Sequence, residues 1–202
     1  MKTLFSFATG SLRPCFLFLC LHIAFVCNGF LYAQPSKTHY IGQPYLGGVI
    51  FYLWHDSTGT EHGLVVDIRD ADTLRKWSNV EDVAIGLAAA STWDGNSNSL
   101  SIISQEGHKN SAAAVCLRSE RGGQKGWYLP SLDELSLLWH SRFQVNKALT
   151  YIPGASPLST KNLYWSSTED IAGVAWAFDF AEGKAANDDK FDAFHVRAVR
   201  SF

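Results

Sequence analysis

The sequence predicts an α+β domain with antiparallel sheets and two principal helices, and three stretches carry that prediction. The first, Gly126-Trp127-Tyr128-Leu129-Pro130-Ser131-Leu132-Asp133-Glu134-Leu135-Ser136-Leu137-Leu138-Trp139, joins a short aromatic strand to an amphipathic helix. The second is Tyr164-Trp165-Ser166-Ser167-Thr168-Glu169, and the third is Val196-Arg197-Ala198-Val199-Arg200. Strand-like runs stand on both sides of a helical middle.

The strand-to-helix junction is local chemistry. Pro130 ends the extended part, because the residue before a proline is pushed away from helical geometry. Ser131 occupies the N-cap position, and Glu134 three residues later completes a Ser-x-x-Glu capping box. Asp133 and Glu134 lie in the first turn, where the helix dipole favours negative charge. Leu132, Leu135, Leu138 and Trp139 recur at helical spacing and form one apolar stripe, running to about Arg142.

At the N-terminus, Lys2 and Arg13 precede an apolar run from Cys15 to Val26 interrupted only by His22, and Leu31-Tyr32-Ala33 ends in a small residue. This predicts a signal peptide over 1–33, cleaved after Ala33, then a polar tether over 34–46 and one domain over 47–202. An uncleaved anchor is the rival, since the run plus its flank nearly spans a bilayer; Asn28-Gly29, which breaks the run, favours cleavage. Neither Cys20 nor Cys27 follows the small residue that a lipobox needs. The expected location is therefore secreted or at the cell surface, with no stable membrane span after cleavage. Only Cys116 would then remain, which excludes an internal disulfide. It lies in the apolar run Ala112–Leu117, as a buried small hydrophobe.

The remaining elements follow in order. Gly47-Gly48 opens a strand over Val49–Trp54, Asp56-Ser57-Thr58-Gly59 turns the chain, and Gly63–Ile68 returns as its partner. His55, Asp56, Glu61 and His62 flank that turn as exposed polar residues, short of a metal-ligand set. Between Asp70 and Gly95 the pattern weakens, and Ala84–Ala90 fits either a short helix or a small-residue loop. Trp93 to Ser99 reads as loop, Gly107 to Arg118 as helix, and Tyr151 to Asn162 as a surface connection. Trp176, Phe178 and Phe180 alternate as in a strand burying one face. Glu182-Gly183-Lys184 turns, Asn187 to Lys190 forms a polar tip, and Phe194 to Phe202 closes the sheet. Arg197 and Arg200 are expected to pair with structural carboxylates.

Taken together, the order of motifs resembles the Lcl C-terminal domain family of bacterial secreted and surface modules. The matching stretches are Gly47–Tyr52, His62–Leu64, Trp127–Leu135, Tyr164–Ser167 and Val196–Arg200. The resemblance implies a C-type-lectin-like fold, distantly related to formylglycine-generating enzymes, and a role in binding polysaccharides at the cell surface. The enzymes in that wider group work through a cysteine pair that binds copper; a mature chain with Cys116 alone lacks it. Calcium-dependent C-type lectins use a Glu-Pro-Asn or Gln-Pro-Asp loop, which is also missing here.

No nucleophile elbow, zinc-protease motif, phosphate-cradling loop or Cys-x-x-Cys is present, so the chain is expected to be non-catalytic, without cofactor or metal. A formal net charge of -2 with no basic stripe argues against a nucleic-acid partner. Aromatic residues make up 13% of the chain. Most belong in the core, but a ring beside Asp and Asn in a loop suits a sugar, which offers an apolar face and hydroxyls. The candidate ligand-binding residues are Trp93, Asp94 and Asn96, then Asp188, Asp189 and Lys190. Against this, Trp93 has an ordinary packing role open to it, and Asp188, Asp189 and Asp192 a solvated tip. Two functions remain: a module binding a polysaccharide, or a structural, adhesive module binding a surface protein.

Overall fold

A computed structural model describes residues 38–202, so the expected signal peptide and cleavage point lie outside the described residues. The fold is α+β, with four α-helices among the described residues rather than two. A four-stranded sheet has the order β1 (Pro44–Tyr45), β2 (Gly48–His55), β3 (Glu61–Asp67), β9 (Val199–Ser201). A five-stranded sheet has the order β4 (Asp72–Lys76), β8 (Ala193–Val196), β5 (Leu163–Ile171), β6 (Val174–Asp179), β7 (Lys184–Asp189). The helices are α1 (Gly95–Ser104), α2 (Ala112–Leu117), α3 (Leu132–His140) and α4 (Arg142–Leu149). No helix among the described residues is long and apolar enough to cross a membrane.

The β2–β3 hairpin forms where the two apolar runs and the turn between them place it, antiparallel with Val49 opposite Val66. The tether expected over 34–46 is already part of the fold at its end, where Pro44 and Tyr45 pair with Val49 and Gly48. Not every pair is antiparallel, since Tyr164 on β5 meets His195 on β8 in parallel register. Phe194 to Phe202 does not close one sheet. The chain bends at Arg197-Ala198 and passes from the five-stranded sheet into the four-stranded one.

Successive strand residues feed two buried clusters, as a pleated backbone requires. Ile50, Val65, Trp165 and Val196 enter a cluster around Trp77 and Trp127. Their strand neighbours Phe51, Val66 and Tyr164 enter a cluster with Leu135 and Leu138, which Val199 of β9 joins. This corrects the one-sided reading of β6. Ala175 and Ala177 are buried on one face and Phe178 on the other, while Trp176 is only half-buried.

The capping box forms as read, with Glu134 N–H donating to Ser131 Oγ and Ser131 N–H donating to Glu134 Oε2. The helix read to about Arg142 ends as α3 at His140, where the Ser141 hydroxyl bonds back to the Leu137 and Leu138 carbonyls; α4, which the sequence reading did not include, follows from Arg142. Hydroxyl back-bonding of this kind bends helices. The loop read over Trp93–Ser99 is in fact the start of α1. Asp94 caps it by accepting from Ser97 N–H at 3.0 Å, and Ser99 Oγ bonds the carbonyls of Gly95 and Leu129. The helix read from Gly107 begins only after Ser111, which caps α2. Ala84–Ala90 holds one 3-10 turn, Gly86–Ala89.

Candidate functional site

Trp93 stands immediately before the α1 cap, with its side chain in solvent, 75% exposed. The packing role open to it in the sequence is therefore not the one it has. Ser91 Oγ accepts from the N–H groups of Trp93 and Asp94, which fixes the backbone that presents the ring. Across from it, the outer half of β2, still paired with β3, presents Tyr52 and Trp54 on one face. Their rings stack at 5.7 Å with an interplanar angle of 26°, and Trp54 stacks in turn on His62 at 5.4 Å.

These three aromatic residues line one cleft of about 320 Å³ together with Leu64, Asp133, Glu134 and Leu137. Leu64 and Leu137 supply an apolar floor, and Asp133 is an exposed carboxylate on its wall. The Asp133 backbone N–H donates to the Thr92 carbonyl at 2.7 Å, tying the first turn of α3 to the Trp93 segment. Glu134 is buried. Its carboxylate accepts from Tyr128 OH at 2.7 Å and from Ser131 N–H at 2.8 Å. Burial nevertheless pushes the Glu134 carboxyl above its ordinary value, and burial with the adjacent carboxylate pushes the Tyr128 phenol up.

The structure separates the other sequence-predicted residues from this cleft. Asp94 has one carboxylate oxygen committed to the helix cap, and Asn96 is exposed on the first turn of α1 without lining the cleft. Asp188 and Asp189 are not at a loop tip but are the last residues of edge strand β7. Lys190 is a correction, because its side chain is fully buried. Its ammonium lies 2.6 Å from Glu169 Oε1 and 4.7 Å from the Trp77 ring, and donates to the Ala172 carbonyl. It is closed to any ligand. Its polar neighbours in sequence gave no sign of this, since its partner comes from β5.

Asp188, Asp189 and Asp192 each bring one oxygen within 4.8 Å of the others. The Asp192 carboxyl is raised above its usual range by its hydrogen bond to Asp188. On β3 and its turn, Asp56 is held low by bonds from Thr58 and His62, while His39 and His55 both approach Glu61. These histidines therefore have carboxylate partners.

The two arginines of the last motif are structural. Arg197 is fully buried, with Nε donating to Asp70 Oδ1 at 2.6 Å and its other nitrogens to the carbonyls of Asp67, Ser156 and Pro157. Arg200 differs from expectation in its partner, donating to the Gln124 side-chain oxygen at 2.8 Å instead of a carboxylate.

Tyr52 and Trp54 were read as strand and not as site. The signal available in sequence was their spacing of two, which puts both rings on one face of a strand whose far end carries polar turn residues.

Comparison with known proteins bears on the fold and the family. A solved structure of a fimbrial protein from Bacteroides ovatus ATCC 8483 is similar with a TM-score of 0.61 at 17% identity, over 84% of this chain and 45% of that one. The chain thus spans less than half the length of that protein, and the likeness is one of fold. No curated protein matches the chain. The profile of the Lcl C-terminal domain matches residues 66–200, which is most of the chain. On that match, the protein belongs to the Lcl C-terminal domain family.

Proposed function

We propose that the domain is an exported, non-catalytic surface module that binds a polysaccharide in the cleft between Trp93 and Trp54. The observation that carries this reading is the exposure of Trp93 opposite the stacked Tyr52–Trp54 pair. Aromatic rings cost free energy in water, and large exposed rings gathered around a cleft mark a binding surface. Their faces suit pyranose rings, and Asp133 offers a carboxylate to sugar hydroxyls. Family membership supports a surface role, as does the fold shared with a fimbrial protein. The C-type-lectin-like description and the cleaved signal peptide belong to the same proposal.

Binding without catalysis is supported by the state of the acids. Glycoside hydrolysis uses a pair of carboxyl groups across the scissile bond. In this cleft Glu134 is engaged by its own cap and by Tyr128, which leaves Asp133 alone.

A glycan array with the secreted domain, its Trp93→Ala variant and added chelator tests the proposal. Binding that Trp93→Ala abolishes and chelator leaves intact is the expected result. Intact glycan binding in Trp93→Ala removes the site, and no glycan binding by the parent removes the reading. The fimbrial likeness favours one other reading, an adhesive module with a protein partner, which that last outcome would promote.

A further inference from the structure

The aromatic cleft does not end at Leu137. Tyr52 and Leu137 also line a second cleft of about 360 Å³, whose other wall is made by Ile41, His140 and Gln144. Ile41 and Gln144 in turn line a third of about 260 Å³, which reaches Phe143, Lys147 and Tyr151. Three depressions thus follow one another through shared side chains, along the seam between β2 and the α3–α4 pair. Both helices pack on β2, which carries the seam past the junction at Ser141. Gly42 then packs so closely on α4 that a Cβ would lie 3.2 Å from the Gln144 carbonyl oxygen, which sets the floor of the third cleft.

The far end repeats the chemistry of the near one. Phe143 is 76% and Tyr151 77% exposed. They stand with Lys147 at successive steps of four residues, so all three share one face of α4 and its C-terminal extension. The first and third clefts share no lining residue and meet only through the second, so the two aromatic ends are too far apart for one small sugar. Between them the surface alternates apolar groups (Ile41, Leu53) with polar ones (His140, Gln144). Charge is mixed along the seam, Asp133 at one end and Lys147 at the other, with no cluster of either sign.

Resting on the polysaccharide reading above, we propose that Phe143 and Tyr151 form a second, distal subsite, and that the groove takes an extended, uncharged polysaccharide chain along its length. A neutral chain matches a mixed-charge groove, and repeated pyranose rings match aromatic platforms at both ends. Joining two subsites on one ligand makes the second contact intramolecular, so affinity rises with chain length.

The test is calorimetric titration of the whole protein with neutral oligosaccharide ladders of glucose and N-acetylglucosamine, from disaccharide to octasaccharide, and with a sulfated ladder as comparator. The parent should bind long neutral chains at least about tenfold tighter than the disaccharide. Phe143→Ala/Tyr151→Ala should lose that gain, keep disaccharide binding and remain folded, since both side chains are exposed. Trp93→Ala should abolish binding at every length. Wild-type length dependence in the double variant overturns the distal subsite and leaves the proposed function standing. Preference for the sulfated ladder overturns the neutral ligand. Self-association of the parent that the double variant abolishes, measured by sedimentation, assigns the face to a second copy instead. No binding by the parent at any length defeats both this inference and the reading it rests on.

Discussion

Lys190 Nζ lies 2.6 Å from Glu169 Oε1, with both side chains closed off from solvent. The same carboxylate accepts from the backbone N–H groups of Ile85 and Gly86, at 2.9 and 2.6 Å, so one buried pair pins the 3-10 turn to β5. Removing one partner of a buried pair leaves the other uncompensated, at a cost of about 3–5 kcal/mol. Lys190→Met should lower the unfolding free energy by that much, read as a lower urea midpoint, without weakening glycan binding. A midpoint equal to the parent's would show that the backbone donors alone satisfy Glu169.

Exposed Trp93 and buried Leu135 give opposite expectations. Trp93→Ala should change stability by no more than about 0.5 kcal/mol, as at other surface sites, while abolishing binding. Leu135→Asp places an unpaired charge where the side chain is fully buried and should cost more than about 3 kcal/mol. Thermal melts of the two variants side by side check both, and a folded, stable Leu135→Asp protein would contradict the placement of α3 in the core.

Glu134 should make stability fall as pH rises. Its folded-state carboxyl is raised above the ordinary value of 4.5 by burial, so the folded protein holds a proton that the unfolded chain has released. Its favourable contribution is full below the unfolded value and is lost as pH climbs through the raised folded value. Glu134→Gln keeps the capping-box pattern and should flatten the stability–pH curve above pH 4.5. Parallel curves for parent and variant would mean that the cap, not the charge, decides.

Cys116 should resist modification while the protein is folded. Its thiol is buried and pushed well above the ordinary range by burial, and the thiolate is the reacting form. Peptide-resolved alkylation with iodoacetamide should leave Cys116 free in buffer and label it in urea. Rapid labelling under native conditions would place the thiol at the surface.

What could be read from sequence depended on how local the cause was. The capping box, the β2–β3 hairpin and the Leu135–Leu138 stripe each rest on residues a few positions apart. α1 escaped because Gly-Asn-Ser-Asn-Ser composition favours loops. Its buried Asn98 and Ser99 find partners at Ser91, Ser167 and Leu129, which only the tertiary fold supplies. Lys190 escaped for the same reason. In the cleft, Trp93 was picked out beside Asp94 and Asn96, but the residues that line the cleft with it are Tyr52 and Trp54, brought there by the hairpin.

The bend at Arg197-Ala198 also sets the order of assembly. Arg197 reaches the Asp67 carbonyl across 130 residues of chain, and β9 pairs with β3 just beyond it. Closing so large a loop carries its entropic cost before the contacts repay it, so this zipper should be among the last to form. Until it does, β3 keeps a bare edge next to an apolar face, a template for pairing with another chain. Refolding yield should therefore rise on dilution, because a late β9 leaves that edge open to another chain for longer.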